Sequence, residues 1–437
     1  MSGVLGMAGW HSLPSQAATV FVTNCQDSGP GSLRDTVAAA ADGDTVNVSA
    51  QTASCYRRIY LTSGEIVVPQ DNLTIDGRLD ALNGAYLHGQ MLSRIFNHIG
   101  DGTLTLRWIS FNQGRVRGNM AMGGCVLSEG HVDISTSQFS ECQVWAEGGT
   151  NPVALGGAIH ARSVTARDGH FTENRGFGVG SAGGAISTEG RVTLLRTGIY
   201  SSAAHDAGAI FSTGGATITY SLIRDSFALH NAAAMQISGG SVTLNKSSIV
   251  NNYADHRCGA VCVYGPGRTS IIDSTVIYNS AVYLAAGELS DQGEIFNSTI
   301  ALNVDRTQHE CVGAIRGRKL HIESSLIANN RCLAEGETLQ AYDVGGRPWE
   351  GYTIVGADNL IRYSLVPVPS DTISADPRLG PQQAGWAHPL LTLLPDSPAI
   401  NRGNNANDRQ YDQRGPGYPR VVGGRADIGA YEVQAAD

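Results

Sequence analysis

One four-residue block governs what this chain can fold into. Gly156-Gly157-Ala158-Ile159 returns as Gly183-Gly184-Ala185-Ile186, Ala207-Gly208-Ala209-Ile210, Ala232-Ala233-Ala234-Met235, Cys258-Gly259-Ala260-Val261 and Val312-Gly313-Ala314-Ile315. A recurrence every 25 to 30 residues or so (about one supersecondary unit) marks a stacked array in which each unit buries its apolar side only against its neighbours. A second mark follows each block, an apolar residue with a small or polar one three places on. It reads Ile109 with Asn112, Phe139 with Cys142, Phe171 with Asn174, Ile199 with Ser202, Leu222 with Asp225, Ile249 with Asn252, Val276 with Asn279, Ile300 with Asn303 and Leu326 with Asn329.

Strands this short, rising about 3.3 Å per residue, must turn and hand on to another, so each repeat is a coil of two or three strands. Coils stacked about 4.8 Å apart set equivalent residues over one another. An aliphatic column inside and an Asn column at one turn are then expected, because an amide both donates and accepts where water cannot reach. The expected fold class is all-β: a single-stranded right-handed parallel β-helix, a solenoid of about ten coils and about 50 Å in length.

Such an array needs covers for its ends. Ser32-Leu33-Arg34-Asp35 is a capping box, Val37 to Ala41 propagate a helix and Gly43 stops it, predicting a short N-terminal capping helix before a first strand at Thr45 to Val48. Beyond 343 the repeat fades into a Pro- and Gly-rich segment, 344–437, expected to pack irregularly on the last coils. Residues 1–18 are read as a signal or leader segment, with small residues Ser15, Ala17 and Ala18 but no positive start, leaving 19–343 for the solenoid and its N-terminal cap.

With 54 glycines among 437 residues and 16% charged residues, the composition suits a chain of many turns. A net charge of -9 with no Lys/Arg run argues against nucleic acid as a partner. The same acidity repels an anionic polymer at long range, so a uronate substrate would need a local basic patch. No apolar run is long enough for a membrane span. Eight cysteines at 25, 55, 125, 142, 258, 262, 311 and 332, without paired metal spacing, read as disulfides of a secreted or cell-surface protein, with Cys25–Cys55 and Cys311–Cys332 preferred by proximity.

The opening Gly31-Ser32-Leu33-Arg34-Asp35 and Gly43-Asp44-Thr45-Val46, the repeats, and a distinctive close bear a resemblance. The close runs Asp376-Pro377-Arg378-Leu379, His388-Pro389-Leu390, Ser397-Pro398-Ala399-Ile400, Asp412-Gln413-Arg414-Gly415 and Asp427-Ile428-Gly429-Ala430-Tyr431-Glu432. Together they resemble secreted bacterial β-helix proteins of the "choice-of-anchor Q" type, and the repeats alone are similar to those of chlamydial polymorphic outer-membrane proteins. The resemblance implies architecture and secretion, and no activity.

Stacking in register also gathers side chains that are distant along the chain. Three residues before the Gly-Ala position, His205, His230 and His256 fall in successive coils, Tyr283 takes the place in the next, and His309 with Glu310 bracket it in the one after. Asp206, Asp255 and Arg257 flank them. Imidazoles this close depress one another's pKa, which suits proton transfer or metal ligation, while a purely structural ladder would satisfy the same turn. As an acid–base site the column would perform β-elimination, with His256 or His230 removing the proton beside a uronic carboxylate, Tyr283 protonating the leaving oxygen and Arg257 neutralising the carboxylate. Asp206 and Asp255, about 9.6 Å apart if parallel, fit an inverting hydrolase marginally.

A second track, Glu129, Arg162 and Glu189 beside Leu127, His160 and Ser187, reads as a charge ladder or a sugar-binding groove, with His160, Arg162, Glu189, His309 and Glu310 as its substrate contacts. Glu288 stands in a column otherwise filled by Ile, Val and Met, which implies a slipped register or a buried acid. The expected function is cleavage of an extended extracellular polysaccharide, by a lyase sooner than a glycoside hydrolase. A non-catalytic adhesin or matrix protein and a metal-dependent enzyme, with calcium or a transition metal at the histidine column, are the alternatives. No cofactor is certain, and a monomer is expected.

Overall fold

The computed structural model describes residues 17–48, 55, 58–78, 84–307, 311–334, 337–339, 342–383 and 388–434. They wind into an all-β parallel solenoid of about eleven turns, consistent with the expected right-handed β-helix. Three long stacks of strands form its sides. Sheet I, with 21 strands, takes two segments from most coils; sheet II has 12 strands and sheet III has 10.

The repeat block is the corner that leads into sheet I. Its fourth position makes one vertical column of Ile159, Ile186, Ile210, Met235, Val261, Gly287 and Ile315, in which every side chain is buried. Its first position takes the left-handed backbone, at φ 69° for Gly183 and 51 to 60° for Ala207, Ala232, Cys258 and Leu284. Glycine meets that conformation without strain, and the later coils accept it in other residues. Its second position lies against the coil above, where a Cβ on Gly184 would come 2.1 Å from the Gly208 carbonyl oxygen. The block absent from the sequence pattern is Leu284-Ala285-Ala286-Gly287. Gly287, and not Glu288, fills the aliphatic column, so the register is shifted by one and Glu288 is no misplaced core residue.

Sheet II carries the core aromatics: Phe111, Phe139 and Phe171 stack with ring centroids 4.5 and 4.9 Å apart. The turn after it carries the amide ladder. The Asn279 amide donates to Asn303 Oδ1 at 3.0 Å, while its Oδ1 accepts from the backbone N–H and the side-chain amide of Asn252; Asn303 repeats this on Asn330. Pairing strands corrects three expected positions. The column passes through Ser226 and Asn330 in place of Asp225 and Asn329, and Asn112 precedes it, because Phe111 aligns with Phe139. The turn between sheets I and II holds a second ladder with no expectation behind it, in which the hydroxyls of Ser221, Ser247, Ser274, Ser298 and Ser325 each accept a backbone N–H from the preceding coil.

The one α-helix among the described residues, Leu33–Ala39, plugs the first coil with Leu33 and Val37 buried, and the Ser32 hydroxyl accepts from the Asp35 N–H at its start. Thr45 does not begin the first strand: Thr19–Phe21 precedes the helix and pairs in parallel with Thr45–Asn47. At the other end the coils run past 343, since Thr353–Val355 pairs with Lys319–Glu323 and Leu360–Ile361 with Leu326–Ala328. The remaining tail packs on the last coils, where Asn404 bonds Ser324, and also runs back along the outside of sheet II. Leu391, Ala399 and Ile428 pack on Leu222, Val250, Ile277, Ala301 and Leu326. Lys246 Nζ donates to the Tyr411 carbonyl at 2.6 Å, and Gln413 bonds the hydroxyls of Ser248 and Thr275.

Disulfides join Cys25–Cys55, Cys125–Cys142, Cys258–Cys262 and Cys311–Cys332. Four bridges are consistent with an extracellular protein. Among the described residues no helix is long and apolar enough to cross a membrane.

Candidate active site

The corner between sheets III and I places its polar residues by counting back from the left-handed position. Two residues before Ala207, Ala232 and Cys258 stand His205, His230 and His256, and one residue before stand Asp206, Asn231 and Arg257. The three imidazoles therefore stack. Ring centroids of His205 and His230 are 5.4 Å apart, and those of His230 and His256 are 5.0 Å apart and nearly parallel at 8°. Tyr283 belongs to the neighbouring column: it bridges to Arg257, as Arg257 does to Asn231. Its backbone N–H donates to the His256 carbonyl at 3.0 Å, and its ring meets the His256 ring edge-on at 5.8 Å.

Hydrogen bonds tie the stack together. Asp206 holds two rings, with Oδ2 2.9 Å from His205 Nδ1 and Oδ1 3.1 Å from His230 Nδ1. Asn231 lies between the next two, its Nδ2 2.8 Å from His230 Nδ1 and its Oδ1 3.0 Å from His256 Nδ1. Burial, then the neighbouring His230 and the Arg257 charge, hold the His256 pKa below the ordinary histidine value, with Asp206 opposing. His256 is therefore neutral near pH 7, the form that can accept a proton.

Arg257 donates to Glu288 Oε2 at 2.6 Å, and Arg316 donates to the other oxygen of the same carboxylate. Two guanidinium groups share one acid, so these three side chains together carry one net positive charge. Glu288 reaches it because it follows Gly287, in a sheet I column that runs through His160, Ser187, Phe211, Gln236, Cys262, Glu288 and Arg316. An open depression of about 310 Å³ continues from there, lined by Glu288, Asp291, Arg316, Arg318, Glu350 and Tyr352. The Cys258–Cys262 bridge fastens the corner bearing His256 and Arg257 to this column.

Other expected site residues fall elsewhere. Asp255 is turned to Arg306, 3.9 Å away, which donates to the Tyr253 hydroxyl and covers its ring at 4.0 Å. Asp206 and Asp255 thus serve different partners. The expected parallel arrangement fails because Asp255 precedes the histidine column, while Asp206 follows it. His160 is buried in the sheet I column, its Nδ1 3.2 Å from Ser187 Oγ, and burial holds its pKa down, with Glu189 opposing and Arg94 reinforcing. Arg162, within strand Ile159–Arg167, and Glu189, just past strand Ile186–Thr188, are exposed. His309 and Glu310 lie outside the described residues. Asn231, Glu288 and Arg316 were not foreseen as parts of this cluster; the pairs His205-Asp206, His230-Asn231 and His256-Arg257 carried a readable signal for the first.

Among the described residues two groups of side chains have metal-ligand spacing. His205, Asp206 and His230 bring one donor atom each within 4.8 Å of one another, as do Cys258, Cys262 and Glu288, whose sulfurs are already joined in a disulfide. The first, with two imidazoles and a carboxylate, would suit a transition metal.

No family model matches the chain, and no curated protein matches it. Among solved structures it is similar to the complex of an alginate lyase, AlyF-OU02, with G6, at 12% identity over 85% of this chain and 91% of that chain, with a TM-score of 0.34.

Proposed function

We propose that this protein cleaves an extended, uronate-containing extracellular polysaccharide by β-elimination at the histidine corner. The observation that carries the reading is the grouping of His230, His256, Tyr283 and the Arg257–Glu288–Arg316 cluster on one side of the solenoid. The reaction needs a base for the proton on the carbon beside the carboxylate, an acid for the departing glycosidic oxygen, and positive charge for the carboxylate as its electrons delocalise. One of the imidazoles takes that proton, its electron pair forms the ring double bond, the bond to the leaving oxygen breaks, and the Tyr283 hydroxyl returns a proton to that oxygen. In a protein of net charge -9 the guanidinium groups of Arg257 and Arg316 are the positive charge at hand for a carboxylate beside the histidines.

A panel of polyuronates and neutral polysaccharides, followed by ultraviolet absorbance of unsaturated products, tests this. Cleavage of a polyuronate with unsaturated ends is expected, and its loss in the His256→Ala/Tyr283→Phe double variant. Saturated products, or undiminished cleavage by the double variant, would overturn it. The spacing of His205, Asp206 and His230 supports a metal-dependent enzyme as a second reading. Metal that copurifies stoichiometrically and is lost on His205→Ala would favour it.

A further inference from the structure

The histidine corner begins at a step in the solenoid. From sheet III to the left-handed residue the corner runs Arg115 to Gly123, Gln143 to Gly156 and Arg175 to Gly183 in three successive coils, but only Ala203 to Ala207, Phe227 to Ala232, Tyr253 to Cys258 and Ser280 to Leu284 in the next four. The extra residues of the long corners form a three-stranded sheet, Met120–Met122, Val153–Leu155 and Ser181–Ala182, whose Ala121 and Ala154 pack against Val116 and Val144 of sheet III. This lobe stops where the histidines start: the Ser181 hydroxyl accepts the His205 N–H at 2.9 Å, and Ala182 bridges to Asp206.

The sheet III strands of the lobe carry Arg117, Trp145 and Phe177 at equivalent positions. The Arg117 guanidinium lies 4.4 Å from the Trp145 ring centroid, and Trp145 stacks on Phe177 with centroids 4.0 Å and planes 20° apart. Trp145 is thus closed on both faces. The pile ends at Phe177, in the last coil with a long corner, and among the described residues no ring or guanidinium covers the other face of this half-buried ring. That face looks along the solenoid axis, over the short corner that bears His205. An open aromatic face at the end of a stack takes a further flat group, and the C–H side of a pyranose ring is one.

We infer that Phe177 is a sugar-binding platform and that the polymer crosses the solenoid at this step instead of running along it. In taking the occupant to be a polysaccharide this rests on the elimination reading. A pyranose stacked on Phe177 lies parallel to the coils, about one coil spacing of 4.8 Å further on, so its linkages point across the axis. The chain then leaves sheet III at the level of His205, and the neighbouring sugar meets the imidazole stack from the side. The lobe lies beside such a chain as a rail and blocks neither of its ends.

Calorimetric titration with oligomannuronate, oligoguluronate, oligogalacturonate and a neutral cello-oligosaccharide reads the platform whether or not anything is cleaved. At least one of them is expected to bind the wild type. It should bind Phe177→Leu, which keeps apolar volume without an aromatic face, roughly 10-fold more weakly, and Phe177→Tyr nearly as well as the wild type. Equal binding to Phe177→Leu, or binding of none of the four, would overturn the platform. On a polyuronate that is cleaved, viscosity is expected to collapse while few unsaturated ends have formed, because a crossing chain is open on both sides. Stepwise release of short products from chain ends would overturn the crossing. Binding that depends on Phe177, with no cleavage of any polyuronate, would sink the elimination reading and leave the platform standing.

Discussion

At the scale of single residues, the corner depends on a group below it. Asp305 is buried in sheet III, where its Oδ1 accepts the N–H of Ala285 at 2.7 Å, just after Tyr283 and Leu284. Burial raises its pKa from 3.8 to about 8, against the lowering effect of the Ala285 and Leu284 N–H groups. A carboxyl that binds its proton more tightly when folded lends stability below its unfolded pKa, and that stability is lost as pH rises through about 8. The thermal midpoint should therefore fall from about pH 6 to about pH 9, and fall less in Asp305→Asn, which keeps an oxygen for both N–H groups. An equal slope in the two proteins, measured by calorimetry, would show that Asp305 does not titrate in this window. Residue-scale features were the least legible in the sequence. The histidine column was visible, because the block that sets its register was visible; the position of Tyr283 was not. The corners from Phe227 and Tyr253 hold one residue more than those from Ala203 and Ser280, and pattern matching cannot see where a turn takes up an extra residue.

At the scale of elements, the ladders at the turns connect coil to coil more specifically than the aliphatic column does. Asn279 accepts two N–H groups from Asn252 and donates to the Ile249 carbonyl and to Asn303. Asn279→Ala leaves several of these buried groups unpaired, at roughly 1–3 kcal/mol each, so a total loss of about 2–5 kcal/mol is expected from denaturant unfolding. Asn251, one residue before Asn252, is exposed but holds a left-handed φ of 55° and donates to Asp225, so its alanine variant should lose less than Asn279→Ala, about 1 kcal/mol. If the two variants were equally stable, the amide ladder would be incidental. The asparagine ladder was legible because the residue repeats over several coils. The serine ladder was not, since serine is common at turns of every kind and only the pairing of strands shows that Ser221 to Ser325 form one line.

At the scale of the whole molecule, the fold class followed from periodicity alone, whereas the tail had no repeat by which to place it. Its packing makes a prediction of its own. Removing everything after Ala375 uncovers Leu222, Val250, Ile277, Ala301 and Leu326 on the flank of sheet II and leaves Lys246 without its carbonyl partners. A chain ending at Ala375 should self-associate in light scattering and unfold at lower temperature than the full chain; a monodisperse truncation of unchanged stability would mean that the tail contributes nothing. A stack in which each rung touches only the next should fray from its open end, rung by rung. Here the last stretch of polypeptide is laid across the rungs like the glued spine of a book. Loosening one page then strains the binding of its neighbours, so melting of the central coils should be a single concerted event.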